Sequence, residues 1–341
     1  MTPRRRILPV FIPHMGCPHA CVFCNQHKIT AAPGSTVPVE PLEELDRLLN
    51  LPLDGTDREL AFYGGSFTAI PVSQQLAFLE PAAKALADGR ISSIRLSTRP
   101  DAVDSETLAR LSAYGVSTVE LGAQSMRDEV LVQSGRGHTA QNVRDASGLI
   151  KKAGIQLVLQ MMTGLPGDDD DGARYTAREL IALQPDAVRI YPTVVIRGTR
   201  LAQLWQAGEY REHSVEDAVR VCSGLLPLFE DAGIPVIRLG LNPTEELGTG
   251  KNFSEGAALA GAYHPALGEL VRSRILRNRL EEQFSVLDCF GKTVKVTAPP
   301  NLLSQALGQH RCNAIWLKEH FHMKELRIQS GEVQQLKIEI L

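Results

Sequence analysis

The chain carries the stretch PHMGCPHACVFCNQ from residue 13 to residue 26, directly after an apolar run over residues 7–12. This stretch places Cys17, Cys21 and Cys24 within eight residues, and they are half of the protein's six cysteines. The apolar run is typical of a β-strand, and the glycine and proline that follow it end the strand. We therefore expect the three thiols on a loop at the carboxyl end of the first strand.

The spacing of these cysteines indicates an inorganic ligand. Thiolates are the side chains that iron–sulfur clusters and zinc select. A structural zinc site is closed by four protein ligands, whereas three thiolates on a four-iron cluster leave one iron open. We expect Cys17, Cys21 and Cys24 to hold such an open 4Fe–4S cluster. One alternative is three unrelated thiols. The other is a zinc knuckle completed by a nearby histidine, namely His14, His19 or His27.

Length and composition limit the class of protein. With 341 residues and 43% hydrophobic side chains, the chain is able to bury a large core. The net charge of -3 excludes a basic surface that would hold nucleic acid without selectivity. The N-terminal run is too short for a signal peptide, and no apolar run approaches bilayer length, so we expect no membrane association. The other cysteines, Cys222, Cys289 and Cys312, stand singly, as is typical of free thiols in a reducing cytoplasm.

Apolar runs alternate with amphipathic segments along most of the chain. This alternation predicts an α/β fold with a parallel sheet and right-handed crossovers. We expect a partial (β/α)6 barrel of the TIM type, with residues 236–239 as a candidate seventh strand. The pattern stops at about residue 284. The predicted domains are therefore a barrel with a helical extension over residues 1–284 and a small α+β domain over residues 285–341.

Polar residues stand where the predicted strands end, which is the place where such barrels carry their chemistry. Gly64 and Gly65 would let a ligand approach the backbone, although such a pair is also an ordinary turn. Glu120 lies in an apolar strand and needs a partner if it is buried, either a ribose diol, a cationic ligand or Arg99. Gln160 would hold a hydroxyl or an adenine edge, or satisfy backbone groups. The candidate binding residues are Gly64, Gly65, Thr98, Arg99, Glu120, Gln124, Gln160 and Tyr191.

Two further motifs have both a binding and a local structural interpretation. The acidic run 168–171 resembles a metal site, but consecutive carboxylates on a loop repel one another and usually stay solvated. We expect this run to cap the helix that follows. The segment RGHT at residues 136–139 fits either a phosphate contact or a capping turn in which Thr139 begins the next helix.

Taken together, the motifs resemble the radical S-adenosylmethionine (SAM) superfamily, and most closely the radical SAM domain of the Elongator catalytic subunit family. The resemblance covers roughly residues 7–275 and rests on the cysteine stretch, TRPD at 98–101, VELGAQS at 119–125, RGHT at 136–139, YPT at 191–193 and RGT at 197–199. Two features depart from that family. Its first two cysteines are spaced more widely, and its C-terminal acetyltransferase domain has no counterpart here, so we do not expect acetyl transfer.

The resemblance implies a chemistry. The three cysteines would hold the 4Fe–4S cluster, and SAM would bind its open iron within a pocket lined by Phe23 and the strand-end residues. A donor such as flavodoxin or ferredoxin would supply one electron, and SAM would break into methionine and a 5′-deoxyadenosyl radical. The family acts on the wobble uridine of tRNA. The loop GLPG at 164–167 looks closer to the coproporphyrinogen dehydrogenase branch, so the alternatives are a porphyrin-type oxidoreductase and a non-enzymatic zinc or RNA-binding module.

The last 57 residues predict a strand, two short helices and a closing strand. This order resembles a minimal KH module, in which a loop between the helices clamps a nucleic-acid backbone. Gly308, His310 and Arg311 are the candidate RNA contacts, and Arg311 would add a phosphate donor where the module has its second glycine. The alternative is a capping subdomain in which Gly308 only ends a helix.

Overall fold

The computed structural model describes residues 6–12, 17, 21–25, 40–241 and 256–341. By its internal contacts the chain forms two compact units. The first comprises Met1–Ser214 and Leu228–Tyr263, and the second comprises Val215–Pro227 and His264–Leu341. The domain boundary expected after residue 284 falls within the second unit and stays a prediction.

The first unit contains a seven-stranded parallel sheet in the order β1-β2-β3-β4-β5-β6-β8. Its strands, with a small antiparallel pair formed by β7 and β9, are β1 (Arg6–Ile12), β2 (Arg58–Gly64), β3 (Ser93–Thr98), β4 (Val116–Gln124), β5 (Gln156–Thr163), β6 (Ala187–Pro192), β7 (Val194–Ile196), β8 (Val236–Leu239) and β9 (Ala258–Gly261). The six predicted strands are confirmed, and the candidate seventh joins the sheet beside β6.

Helices connect these strands, as the alternation predicted. They are α1 (Pro41–Leu49), α2 (Val72–Ala87), α3 (Ser105–Ala113), α4 (Asp128–Gln133), α5 (Ala140–Lys152), α6 (Asp170–Ala182), α7 (Arg200–Gln206) and α8 (Val215–Asp231). Asp169 caps α6 by accepting a 2.7 Å hydrogen bond from the Gly172 N–H, so the capping role of the acidic run is confirmed. Thr139 caps α5 in a reciprocal capping box with Asn142, which agrees with the capping-turn alternative for residues 136–139.

The sheet curves so that one face is enclosed. Phe62 of β2 packs on Phe78 of α2, with ring centroids 5.8 Å apart, so this residue faces the helices. Its neighbour Tyr63 points to the opposite face, because side chains alternate along a strand. There its hydroxyl lies 3.1 Å from Arg189 of β6. Since β2 and β6 are not neighbours in the sheet, this contact requires a partial barrel with both side chains inside.

The second unit has its own sheet and core. It contains α9 (Leu267–Ser285), β10 (Thr293–Ala298), α10 (Leu303–Leu307), α11 (Cys312–His320), β11 (Glu325–Ser330) and β12 (Lys337–Ile340). The predicted order of strand, two helices and strand is confirmed, with β10 and β11 parallel. Strand β12, which pairs antiparallel with β10, was not predicted from the sequence. Its four residues, KIEI, alternate between polar and apolar side chains, but the strand is short and partly exposed at the sheet edge. None of the helices in the described ranges is long and apolar enough to cross a membrane.

Candidate cluster and cofactor site

The described part of the cysteine loop is anchored to segments far away in sequence. The Val22 N–H donates to the Ser134 carbonyl at 3.1 Å, and the Val22 carbonyl accepts from the Leu201 N–H at 2.7 Å. Around Val22, the Cys24 N–H donates to the Cys21 carbonyl at 3.1 Å, and this hydrogen bond closes a tight turn. The loop therefore holds two of the thiols in a defined arrangement beside the barrel.

The three thiols are half-buried, and they influence one another. Burial, followed by repulsion from Cys21 and Cys17, raises the pKa of the Cys24 thiol to about 12. The Cys17 sulfur lies 3.6 Å from the Ser66 hydroxyl. Within the described ranges, no group of three His, Cys, Asp or Glu side chains is already arranged around a single metal ion. The donor set consists of sulfur, which suits an iron–sulfur cluster better than a hard cation. The histidines of the zinc alternative lie outside the described residues.

Arg136 connects the cysteine loop to the barrel. Its Nη1 donates to the Cys21 sulfur at 3.3 Å, and its Nη2 donates to the Gly122 carbonyl at 2.8 Å. Arg99, predicted to line the SAM pocket, is only 3% exposed. It donates to the Arg136 carbonyl at 2.7 Å and to Asp101 at 2.5 Å. Arg99 therefore supports the residue that contacts the thiol.

Two of the predicted binding residues, Gln124 at the end of β4 and Gln160 within β5, are brought together. The Gln160 amide lies 3.4 Å from Gln124 Oε1. Gln124 has a positive φ of 65°, which is uncommon for a residue other than glycine. His138 stabilises this turn, because its Nε2 lies 3.2 Å from the Ala123 carbonyl and must donate to it. Burial and then the charge of Arg136 lower the pKa of His138 to about 4, so the ring is neutral near pH 7.

Glu120 is buried, but its partner is not the one considered from the sequence. Its Oε1 accepts from Arg95 at 2.9 Å, from Arg189 at 2.7 Å and from the Tyr63 hydroxyl at 3.3 Å. The suggested pairing with Arg99 is wrong. Arg99 follows the last residue of β3, where the chain leaves the sheet, whereas Arg95 lies within the strand on the enclosed face.

This network extends across the enclosed face of the barrel. Arg95 also pairs with Glu59 of β2 at 3.1 Å, and Arg189 donates to the Tyr191 hydroxyl at 3.3 Å. Glu59, Arg95 and Arg189 were not predicted from the sequence. A signal was present for Arg189, a charged residue among the apolar residues of β6, which is the signal that marked Glu120. Glu59 follows Arg58 at the start of β2, and Arg95 lies between serines in β3, so their signal is weaker. Paired charges thus line the barrel interior.

The remaining predicted residues have structural contacts at the edge of the site. The Gly65 N–H donates to the Ile12 carbonyl at 2.7 Å, which brings the ends of β1 and β2 together. The hydroxyls of Thr98 and Thr68 lie 2.5 Å apart. Phe23 and Tyr191 pack against one apolar cluster, formed by Val130, Met162 and Leu165. The aromatic side chain before the third cysteine therefore fastens the loop to the barrel.

Gly64→Ala is expected to lower the free energy of unfolding by about 1–3 kcal/mol. Gly64 has a φ of 99°, and an added Cβ would lie 3.2 Å from the Ile12 backbone. The matched control is Gly148→Ala in α5, where an added Cβ meets nothing within 4 Å. It should stabilise the protein by about 0.5–1 kcal/mol. Urea denaturation measures both, and equal effects would show that the close approach at Gly64 is unimportant.

Comparison with known proteins gives the family. Models of the radical SAM superfamily and of the radical SAM C-terminal domain match residues 11–180 and 185–277. The tRNA uridine(34) acetyltransferase of Methanocaldococcus jannaschii is 30% identical over 185 residues, which is 48% of this chain and 34% of that protein. Elongator complex protein 3 of Homo sapiens is 37% identical over 138 residues, which is 40% of this chain and 25% of that protein.

A solved structure agrees in fold. The archaeal Methanocaldococcus infernus Elp3 with an N-terminal deletion superposes with a TM-score of 0.60 and 22% identity, covering 82% of this chain and 64% of that chain. The chain belongs to the radical SAM superfamily, as its motifs predicted, and is homologous to the radical SAM region of the Elongator protein 3 and tRNA uridine(34) acetyltransferase proteins. It spans about a third or less of the length of the two curated relatives described above.

Proposed function

We propose that this enzyme holds a 4Fe–4S cluster through Cys17, Cys21 and Cys24 and uses it to cleave SAM reductively. The observation that carries the proposal is the position of the three half-buried thiols, on the loop after β1 of a parallel partial barrel. When bound, the cluster supplies one electron to the SAM sulfonium, and the resulting 5′-deoxyadenosyl radical takes a hydrogen atom from the substrate.

The chain's own residues would bind and orient SAM. The adjacent side chains of Gln124 and Gln160 offer amide donors and acceptors to an adenine edge or a hydroxyl. Among the described residues, the three hydrogen bonds to Glu120 all end on Oε1, and we propose that Oε2 accepts from a ribose hydroxyl. The two arginines hold this carboxylate in place. Gly64 and Gly65 would present backbone groups to the amino acid part of SAM.

Anaerobic reconstitution tests this function. The protein is incubated with iron and sulfide and then with dithionite and SAM, and 5′-deoxyadenosine is measured by mass spectrometry. We expect a coloured protein that produces 5′-deoxyadenosine only when both dithionite and SAM are present. A colourless protein that carries stoichiometric zinc would overturn the proposal in favour of a zinc module.

For the substrate, we propose the wobble uridine of tRNA, with flavodoxin or ferredoxin as the electron donor in the cytoplasm. The support is the homology to proteins named tRNA uridine(34) acetyltransferase. The chain matches only part of those proteins, so the proposal includes no acetyl transfer. Comparison of tRNA nucleosides and small metabolites from cells with and without the protein tests it. A change confined to small metabolites would instead favour porphyrin-type radical chemistry.

We also propose that the second unit contacts the tRNA through the loop between α10 and α11. His310 and Arg311 are exposed there, and both have positive φ angles. Gly308 has no room for a side chain, since an added Cβ would lie 2.7 Å from the Cys312 sulfur. The His310→Asp and Arg311→Asp double variant is expected to weaken tRNA binding. It should reduce the slope of log affinity against log salt by about 1 for each phosphate that is no longer neutralised.

Fluorescence anisotropy at several salt concentrations measures this effect. The control is Lys324→Asp with Lys337→Asp, a comparable charge change outside the loop. If both double variants bind equally well, the loop does not bind the tRNA. If wild-type protein shows no affinity at low salt, the second unit has a structural role only.

A further inference from the structure

Arg136 places a positive charge against one of the three thiols. Its guanidinium donates to the Cys21 sulfur at 3.3 Å, and an arginine keeps its proton in proteins. Within the described ranges, Arg136 has no carboxylate partner. By contrast, Arg99 pairs with Asp101, and Arg144 pairs with Glu179. Among the residues that the structure describes, no carboxylate therefore neutralises the charge beside Cys21.

The surrounding structure holds the guanidinium in this position. The Gly122 carbonyl accepts from its Nη2 at 2.8 Å, and a Cβ at residue 122 would lie only 3.2 Å from the same nitrogen. Arg99 holds the main chain of Arg136 by donating to its carbonyl. The hydrogen bond from Val22 to the Ser134 carbonyl ties the same segment to the cysteine loop. The contact between Arg136 and Cys21 is thus built by four separate parts of the chain.

We propose that Arg136 is a positioning residue that raises the reduction potential of the cluster through its hydrogen bond to Cys21. Hydrogen bonds to ligand sulfurs and nearby charge set such potentials, because they stabilise the more negative reduced state. Reduction adds one electron from a one-electron donor, breaks no covalent bond and leaves the Arg136 proton in place. This inference rests on the proposed function, since it requires Cys21 to be a cluster ligand.

The test is the midpoint potential of the reconstituted protein. It is measured in a redox titration in which electron paramagnetic resonance detects the reduced cluster. Arg136→Gln should bind as much iron as wild type. Its equilibrium constant for reduction should be about tenfold lower, which is ~59 mV for one electron. Arg144→Gln removes an equal charge from the pair with Glu179 and should leave the potential unchanged. A wild-type potential in Arg136→Gln at full iron content would overturn the inference and leave the proposed function intact.

Two further variants separate charge from geometry. Arg136→Lys keeps the charge but cannot donate to both the sulfur and the Gly122 carbonyl with the same fork geometry, so its potential should fall between those of wild type and Arg136→Gln. Gly122→Ala keeps the arginine but crowds it, and the potential should again decrease. If Arg136→Gln fails to retain iron, the midpoint potential of Arg136→Lys is the deciding measurement. A wild-type potential in that variant would count against the inference. Absence of iron from the wild-type protein would instead reject the proposed function itself.

Discussion

Cys21→Ala is expected to abolish iron incorporation during anaerobic reconstitution. With one thiolate missing, the described part of the loop retains only two sulfur ligands, Cys17 and Cys24, and a four-iron cluster with one open iron needs three. The measurement is iron and sulfide bound per protein, together with the visible absorption of the cluster. The variant should remain folded, because Cys21 is only half-buried on a loop.

The control is the triple variant Cys222→Ala, Cys289→Ala and Cys312→Ala. All three cysteines belong to the second unit, whereas the cysteine loop belongs to the first. We therefore expect wild-type iron content in the triple variant. Loss of about half of the iron would indicate a second cluster. Retention of iron in Cys21→Ala would show that the cysteine triad has been assigned wrongly.

Glu120→Ala is expected to destabilise the protein by about 3–5 kcal/mol, the usual penalty for removing one partner of a buried ion pair. The side chains of Arg95 and Arg189 are only 11% and 14% exposed, and both depend on this carboxylate. Without it, two guanidinium groups are left facing each other in the barrel interior with one remaining carboxylate, Glu59. The measurement is the free energy of unfolding in urea.

An exposed pair provides the control for this prediction. Glu106 on α3 has a side chain that is 91% exposed and lies 3.9 Å from Arg110. Glu106→Ala should therefore change stability by less than about 1 kcal/mol. Glu120→Gln, which keeps the shape and an acceptor oxygen, should fall between the two. If Glu120→Ala lowers the free energy of unfolding no more than Glu106→Ala does, the buried network does not contribute to stability.

Local features were predicted well from the sequence, because short-range physics determines them. Helix Pro41–Leu49 begins at its proline, because proline favours the first helical turn, and its apolar positions repeat with the helical period. The N-cap at Thr139 was likewise predictable from the type of residue. Strand β12 was not predicted, although its residues KIEI alternate between polar and apolar, because four residues is the shortest run in which such alternation indicates a strand.

The sequence by itself determined the three-thiol loop, the order of strands and helices, and the strand in which Glu120 lies. Only the tertiary structure decided the partners of these residues. Glu120 meets arginines 25 and 69 residues away, and Arg136 meets a thiol 115 residues away. A period of two assigns a side chain to one face of a sheet. Which side chains meet across that face depends on strand register and on the curvature of the barrel, and both arise only when the whole sheet has assembled.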